Sequence, residues 1–148
     1  MRNGGTCVLH DDMADVLKLF QEANVLVLAT PVYSWYCTPP MKALLDRCVY
    51  AMNKFYGTAD KSGTDAQAPA SGTAIWAGRK VCLITTCGYP PEKGADLLEE
   101  GIRRYCRHSQ LEFLGTLVER HTGYGTQFMN GEKEQRARDF AREIVAKM

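Results

Sequence analysis

Two short stretches hold the residue types best suited to chemistry. In Pro31-Val32-Tyr33-Ser34-Trp35-Tyr36, three aromatic side chains follow one apolar run and precede Thr38-Pro39-Pro40. In Thr85-Thr86-Cys87-Gly88-Tyr89, two hydroxyls, a thiol, a glycine and another aromatic follow a second apolar run. Aromatic faces stack on flat ligands, and glycine lets backbone come close to one. The chemistry that fits is recognition of a planar ring by stacking and backbone hydrogen bonds. The same aromatics would also serve to seal a sheet edge. Cys87 stands where a thiol could react, with a spectator role the better reading.

Other chemistries find little support. The sequence contains no Ser-His-Asp arrangement, HExxH motif or P-loop. His10, His108 and His121 share no ligand spacing and read as surface or satisfied histidines. The six cysteines lack CxxC spacing, and Cys48, Cys82 and Cys106 read as small buried hydrophobes. Lys42, Asp46 and Arg47 read as an ion-pair and capping set within one helix. No catalytic side chain and no metal site is expected.

The elements that must position the two stretches follow from periodicity. From Asp11, the residues Met13, Val16, Leu17, Phe20 and Ala23 recur at helical spacing, with Asp11 and Asp12 at the capping end. Val25 to Thr30 is apolar without alternation, as expected of a parallel strand covered on both faces. After Thr38, a possible cap, Pro39 or Pro40 opens a helix running through Met41, Leu44, Leu45, Cys48, Val49 and Met52 toward Phe55. Gly57 to Gly78 reads as a long surface excursion. Val81 to Thr86 is a second buried strand. Glu92 to Gln110 reads as one helix with Leu97, Leu98, Ile102, Tyr105 and Cys106 on one side. Phe113 to Glu119 is a third strand, Gly123-Tyr124-Gly125 a loop able to border a ring, and Gly131 to Met148 a charged amphipathic helix. Alternating helices and strands predict an α/β fold with a parallel sheet, in a single domain over residues 1–148. Ligands of such sheets bind beyond the carboxyl ends of the strands, where both aromatic stretches stand.

Composition narrows the class further. With 18 Lys+Arg against 17 Asp+Glu in 148 residues, the net charge of +1 excludes a nucleic-acid binder that works by a basic field. A content of 45% hydrophobic and 24% charged residues is that of a folded domain. The longest apolar run, Val25 to Ala29, falls far short of the ~20 residues a spanning helix needs. No apolar core follows Arg2, so a secretory signal is not expected and the cytoplasm is the expected compartment.

Several of these residues carry a family resemblance. Asp11-Asp12-Met13, Ala29-Thr30-Pro31-Val32-Tyr33 and Met41-Lys42-Ala43-Leu44-Leu45-Asp46-Arg47 resemble the flavodoxin-like NADPH-dependent FMN reductases, especially their iron–sulfur flavoprotein branch. The Thr86 to Gly88 turn agrees with the family's second flavin-contacting loop. The resemblance implies a three-layer flavodoxin-like sandwich. It also implies FMN as cofactor, NAD(P)H as co-substrate and a small flavin- or quinone-like electron acceptor. Carried onto this sequence, the FMN-contacting residues are Pro31, Val32, Tyr33, Ser34, Trp35, Thr86, Cys87 and Gly88, with Tyr36 a further flavin-side aromatic. A phosphorylation receiver is rejected, because Thr30-Pro31 stands where that fold wants an Asp.

Family members open with a strand, a phosphate-holding loop, a helix and a second strand, which this sequence is expected to lack. Gly5-Thr6-Cys7 resembles the end of the cluster-binding motif, but one cysteine cannot hold a cluster that takes about four thiolates, so no iron–sulfur centre is expected from this chain alone. In the strand order 2-1-3-4-5 the missing first strand would flank Val25 to Thr30. The resulting apolar edge predicts a homo-oligomer, a swapped assembly or poor solubility, unless Met1 is an internal residue of a longer frame. The competing reading is a flavodoxin-like fragment that binds no flavin and serves as an interaction module.

Overall fold

The computed structural model describes residues 9–52, 77–123 and 127–148. The expectations for Cys7, the approach to Phe55, Gly57 to Trp76, Tyr124 and Gly125 lie outside those residues. The described elements are α1 (Met13–Glu22), β1 (Val25–Pro31), α2 (Pro39–Met52), β2 (Lys80–Cys87), α3 (Pro91–Gly94), α4 (Asp96–His108), β3 (Glu112–Arg120) and α5 (Gly131–Ala146). The three strands form one parallel sheet in the order β1-β2-β3. Register aligns Val25 with Lys80 and Pro31 with Thr86, so the two aromatic stretches leave the sheet side by side.

Helices lie on both faces of the sheet. On one face Leu26 and Leu28 of β1 and Val81 and Leu83 of β2 pack with Met13, Leu45, Cys48, Leu98, Ile102 and Cys106 from α1, α2 and α4. Burying each of the larger side chains contributes about 1.5–3 kcal/mol. On the other face Cys82 and Leu114 meet Ile144 and Phe140 of α5.

Three features depart from the sequence reading. β1 alternates between buried and exposed residues, and Val27 is 55% exposed, so among the described residues it is covered on one face only. The reason is reach: α5 extends over β2, β3 and Val25, leaving Val27 bare. The expected helix from Glu92 to Gln110 is broken at Ala95 into α3 and α4, and Leu97 lies exposed beyond the break. Gly94, the last residue of α3, is pressed so tightly on the β2 end that an added Cβ would lie 3.0 Å from Tyr89 Cβ and 3.2 Å from Cys87 Sγ. Finally, only part of the Lys42, Asp46, Arg47 set stays within α2. Lys42 Nζ donates to Asp46 at 2.6 Å, whereas Arg47 crosses to Asp11 at 2.8 and 3.0 Å. Asp11 also accepts from the Met13 amide at 3.2 Å, so it and not Asp12 supports the start of α1. The Arg47 bonds hold the Asp11 carboxyl below its usual range.

Candidate functional site

The site is built where β1 and β2 end. Thr30, buried at the end of β1, accepts from the Thr38 amide at 3.1 Å and lies 3.2 Å from the Thr38 hydroxyl. One hydroxyl therefore closes the loop from β1 into the start of α2. The Val32 amide donates to Thr86 O at 2.8 Å, extending the ladder past Pro31.

Tyr33 and Tyr36 then exchange backbone bonds of 2.9 and 3.0 Å around Ser34 and Trp35, whose φ values are +50° and +64°. Positive φ at both central positions makes a type I′ turn, which ordinarily takes Asn-Gly. A side chain in this left-handed region costs about 1–2 kcal/mol per residue, so the turn needs outside support. That support comes from beyond β2. The Trp35 indole N–H donates to Lys93 O at 3.1 Å, and the indole stacks on Tyr89 at 6.0 Å between centroids with an 18° interplanar angle. The amides of Ser34 and Trp35 take no part in the Tyr33–Tyr36 pair of bonds.

Across the gap, the Cys87 thiol donates to Tyr89 O at 3.1 Å and is buried, which raises its pKa. Its protonated, occupied sulfur supports the spectator role. Together these segments enclose a shallow recess of about 140 Å³, lined by Val32, Ser34, Trp35, Cys87, Gly88, Tyr89 and Gly94. A pocket that encloses a drug-sized ligand runs to ~300–1,000 Å³, so this one suits the edge or face of a ring lying across it.

Of the sequence-predicted residues, Val32, Ser34, Trp35, Cys87 and Gly88 converge on the recess. Pro31, Tyr33 and Thr86 border it without lining it. Pro31 is exposed at the strand end, Tyr33 is 60% exposed, and Thr86 contributes its carbonyl to the ladder. Tyr36 does not line the recess. It is half-buried against the core, and an added Cβ on Gly101 would fall 2.9 Å from its ring. The Lys93 carbonyl and Gly94 escaped the sequence reading because Glu92 to Gln110 scans as uninterrupted helix. Among the described residues no three His, Cys, Asp or Glu side chains gather as a metal site. No helix among them is long and apolar enough to cross a membrane.

Comparison with known proteins places this geometry in context. Residues 8–148 match a family described by its flavodoxin-like fold. An iron–sulfur flavoprotein of Archaeoglobus fulgidus is 42% identical over 43 residues, which are 29% of this chain and 20% of that protein. The matched stretches thus occupy only part of the length of the curated relatives, up to 32% in the iron–sulfur flavoprotein of Methanosarcina thermophila. Among solved structures, general stress protein 14 of Treponema denticola in complex with FMN superposes with a TM-score of 0.60 at 22% identity, covering 93% of this chain and 74% of that one. An apo NADH:FMN oxidoreductase gives a TM-score of 0.59 at 16% identity, with 93% and 60% covered.

Proposed function

The chain belongs to the flavodoxin-like-fold family, and from that premise we propose that it is a flavoprotein oxidoreductase that passes a hydride from NAD(P)H through FMN to a small flavin- or quinone-like acceptor. The observation that carries this reading is the convergence of both strand-end loops on one recess, with a strained turn held by an indole hydrogen bond. Among similar proteins, three are named iron–sulfur flavoproteins, one structure holds FMN and another is an NADH:FMN oxidoreductase.

The residues present fit a flavin ring. The Ser34 and Trp35 amides would donate to its polar edge, the stacked Trp35 and Tyr89 rings would border it, and Gly88 would let backbone approach. FMN, when bound, supplies the atom that accepts and releases hydride. This chain's part is to orient the ring, exclude water from one side and set its electrostatic surroundings. Cys87, protonated and engaged with Tyr89 O, takes no proton in that scheme. The reading includes self-association through β1, which pairs only with β2 among the described residues.

Titration of the purified chain with FMN tests the reading, following quenching of flavin fluorescence, with riboflavin as the phosphate-free control. Saturable one-to-one binding, followed by NAD(P)H oxidation in the presence of a quinone, is the expected result. A folded chain that binds neither flavin would reject it in favour of a non-catalytic interaction module.

A further inference from the structure

A second and larger recess opens at the end of β3, on the other side of the Cys87-Gly88 turn. Its volume is about 420 Å³, and Arg120, His121, Phe128, Asn130, Lys133 and Arg136 are among its lining residues. The two recesses are joined through backbone, since the His121 amide donates to Cys87 O at 2.8 Å and Arg120 Nε donates to Gly88 O at 3.3 Å.

The charges here are not balanced. Arg136 clasps the buried Glu119 carboxylate with two bonds of 2.8 Å, so that pair is neutral and fixed. Lys133 also acts on the Glu119 carboxylate, so one acid faces two cations, and with Arg120 the lining keeps a net positive charge. Arg120 makes its one described side-chain bond to a carbonyl, leaving most of its guanidinium donors open. Lys133 Nζ is held by Arg120 O at 2.9 Å and stands 3.9 Å over the Phe128 ring centroid. That ring in turn stacks on His121 at 5.9 Å. Glu132 acts on Arg136 from the same turn of α5 and does not line the recess. A backbone carbonyl and an aromatic face position an ammonium without neutralising it.

We propose that this recess binds a phosphate-bearing small anion of the diphosphate class, held by Arg120 and Lys133 over the His121–Phe128 stack. Its volume exceeds what a single tetrahedral phosphate fills. Fixed cations in a partly enclosed recess favour multiply charged anions more than they would in open water. Asn130 has its side-chain oxygen committed to the Lys133 amide at 2.9 Å, which fixes the start of α5 beside the site. Anion binding here requires no flavin. Only a nicotinamide dinucleotide as the carrier of the diphosphate rests on the proposed function.

Calorimetric titration of the full chain with inorganic pyrophosphate, and separately with ADP-ribose, tests the site. The expected result is saturable one-to-one binding that weakens about tenfold or more in Arg120→Gln and in Lys133→Gln, the loss expected for one charge-assisted bond. Arg104→Gln, on the exposed side of α4, should leave it unchanged. Both ligands competing for one site, with ADP-ribose the tighter, would assign the anion to a nucleotide; pyrophosphate the tighter would assign it to a free inorganic anion. Either supports the site. Absence of saturable binding by the folded chain, or equal weakening in Arg104→Gln, would overturn it. Circular dichroism of each variant separates lost binding from lost fold. Loss of FMN binding with pyrophosphate binding intact would reject the flavin reading alone.

Discussion

Val25 to Thr30 and Val81 to Thr86 are apolar runs of similar character, yet Val27 is 55% exposed while Cys82, its partner in register, is 1% exposed. The difference comes from position in the sheet and not from residue type. β2 lies between two strands and beneath helices on both faces, with Leu83 against α4 and Cys82 against α5. β1 shares the α4-side cover but lies beyond the reach of α5 at Val27. An unbroken apolar run therefore reports which strands can be buried, and the neighbouring elements decide which faces are.

The sharpest test of that contrast is Leu83→Ala. It empties a fully buried position and should cost about 2–5 kcal/mol in chemical denaturation. A loss below 1 kcal/mol would break the claim that β2 is the centre of the core.

Gly94→Ala asks whether the ends of the two strands form one unit. The new methyl meets Tyr89 Cβ and Cys87 within 3.0–3.3 Å, so a loss of about 1–3 kcal/mol is expected, together with weakened FMN binding. Normal affinity in that variant would detach the recess from flavin binding. Trp35→Phe keeps an aromatic face and removes the indole donor to Lys93 O. It should cost about 0.5–1.5 kcal/mol and loosen the β1 turn while leaving β2 intact, which amide hydrogen exchange would resolve.

β3 supplies a pH-dependent counterpart. The Arg136 guanidinium holds the Glu119 carboxyl below its usual range. A depressed folded-state pKa contributes stability above the unfolded value, near pH 4.5, and loses it as pH falls through the folded value. The stability gap between the parent chain and Glu119→Gln should accordingly narrow on acidification below pH 4.5, and a gap that widens would contradict the pair. The smallest effect belongs to Val27→Thr on the bare face of β1, within about 0.5 kcal/mol for an isolated chain. A clear loss that grows with protein concentration, alongside a light-scattering mass of two chains, would instead show that self-association covers this face.

The thiols follow the same division between what lies near the surface and what is enclosed. Burial pushes Cys48 up to about 12 and Cys106 up to about 11, as expected of cysteines acting as small core residues. Their place in the core was legible from the apolar segments that carry them. The hydrogen bond of Cys87 was not legible, because its accepting carbonyl, Tyr89 O, is positioned by a turn that periodicity does not describe.

The sequence by itself determined that three apolar segments alternate with helices, that the sheet is parallel and that aromatic-bearing loops follow Thr30 and Thr86. These are local matters of period, capping and β-branching, and water imposes them residue by residue. Tertiary structure alone decided that β1 keeps a bare face, that Ser34 and Trp35 adopt a left-handed turn, that Tyr36 turns into the core and that the helix from Glu92 breaks at Ala95. It also brought Arg120 and Lys133 together across thirteen positions of sequence. Each of those outcomes depends on contacts between segments remote in the chain. Such contacts are set by which surfaces remain to be covered after the local elements have formed.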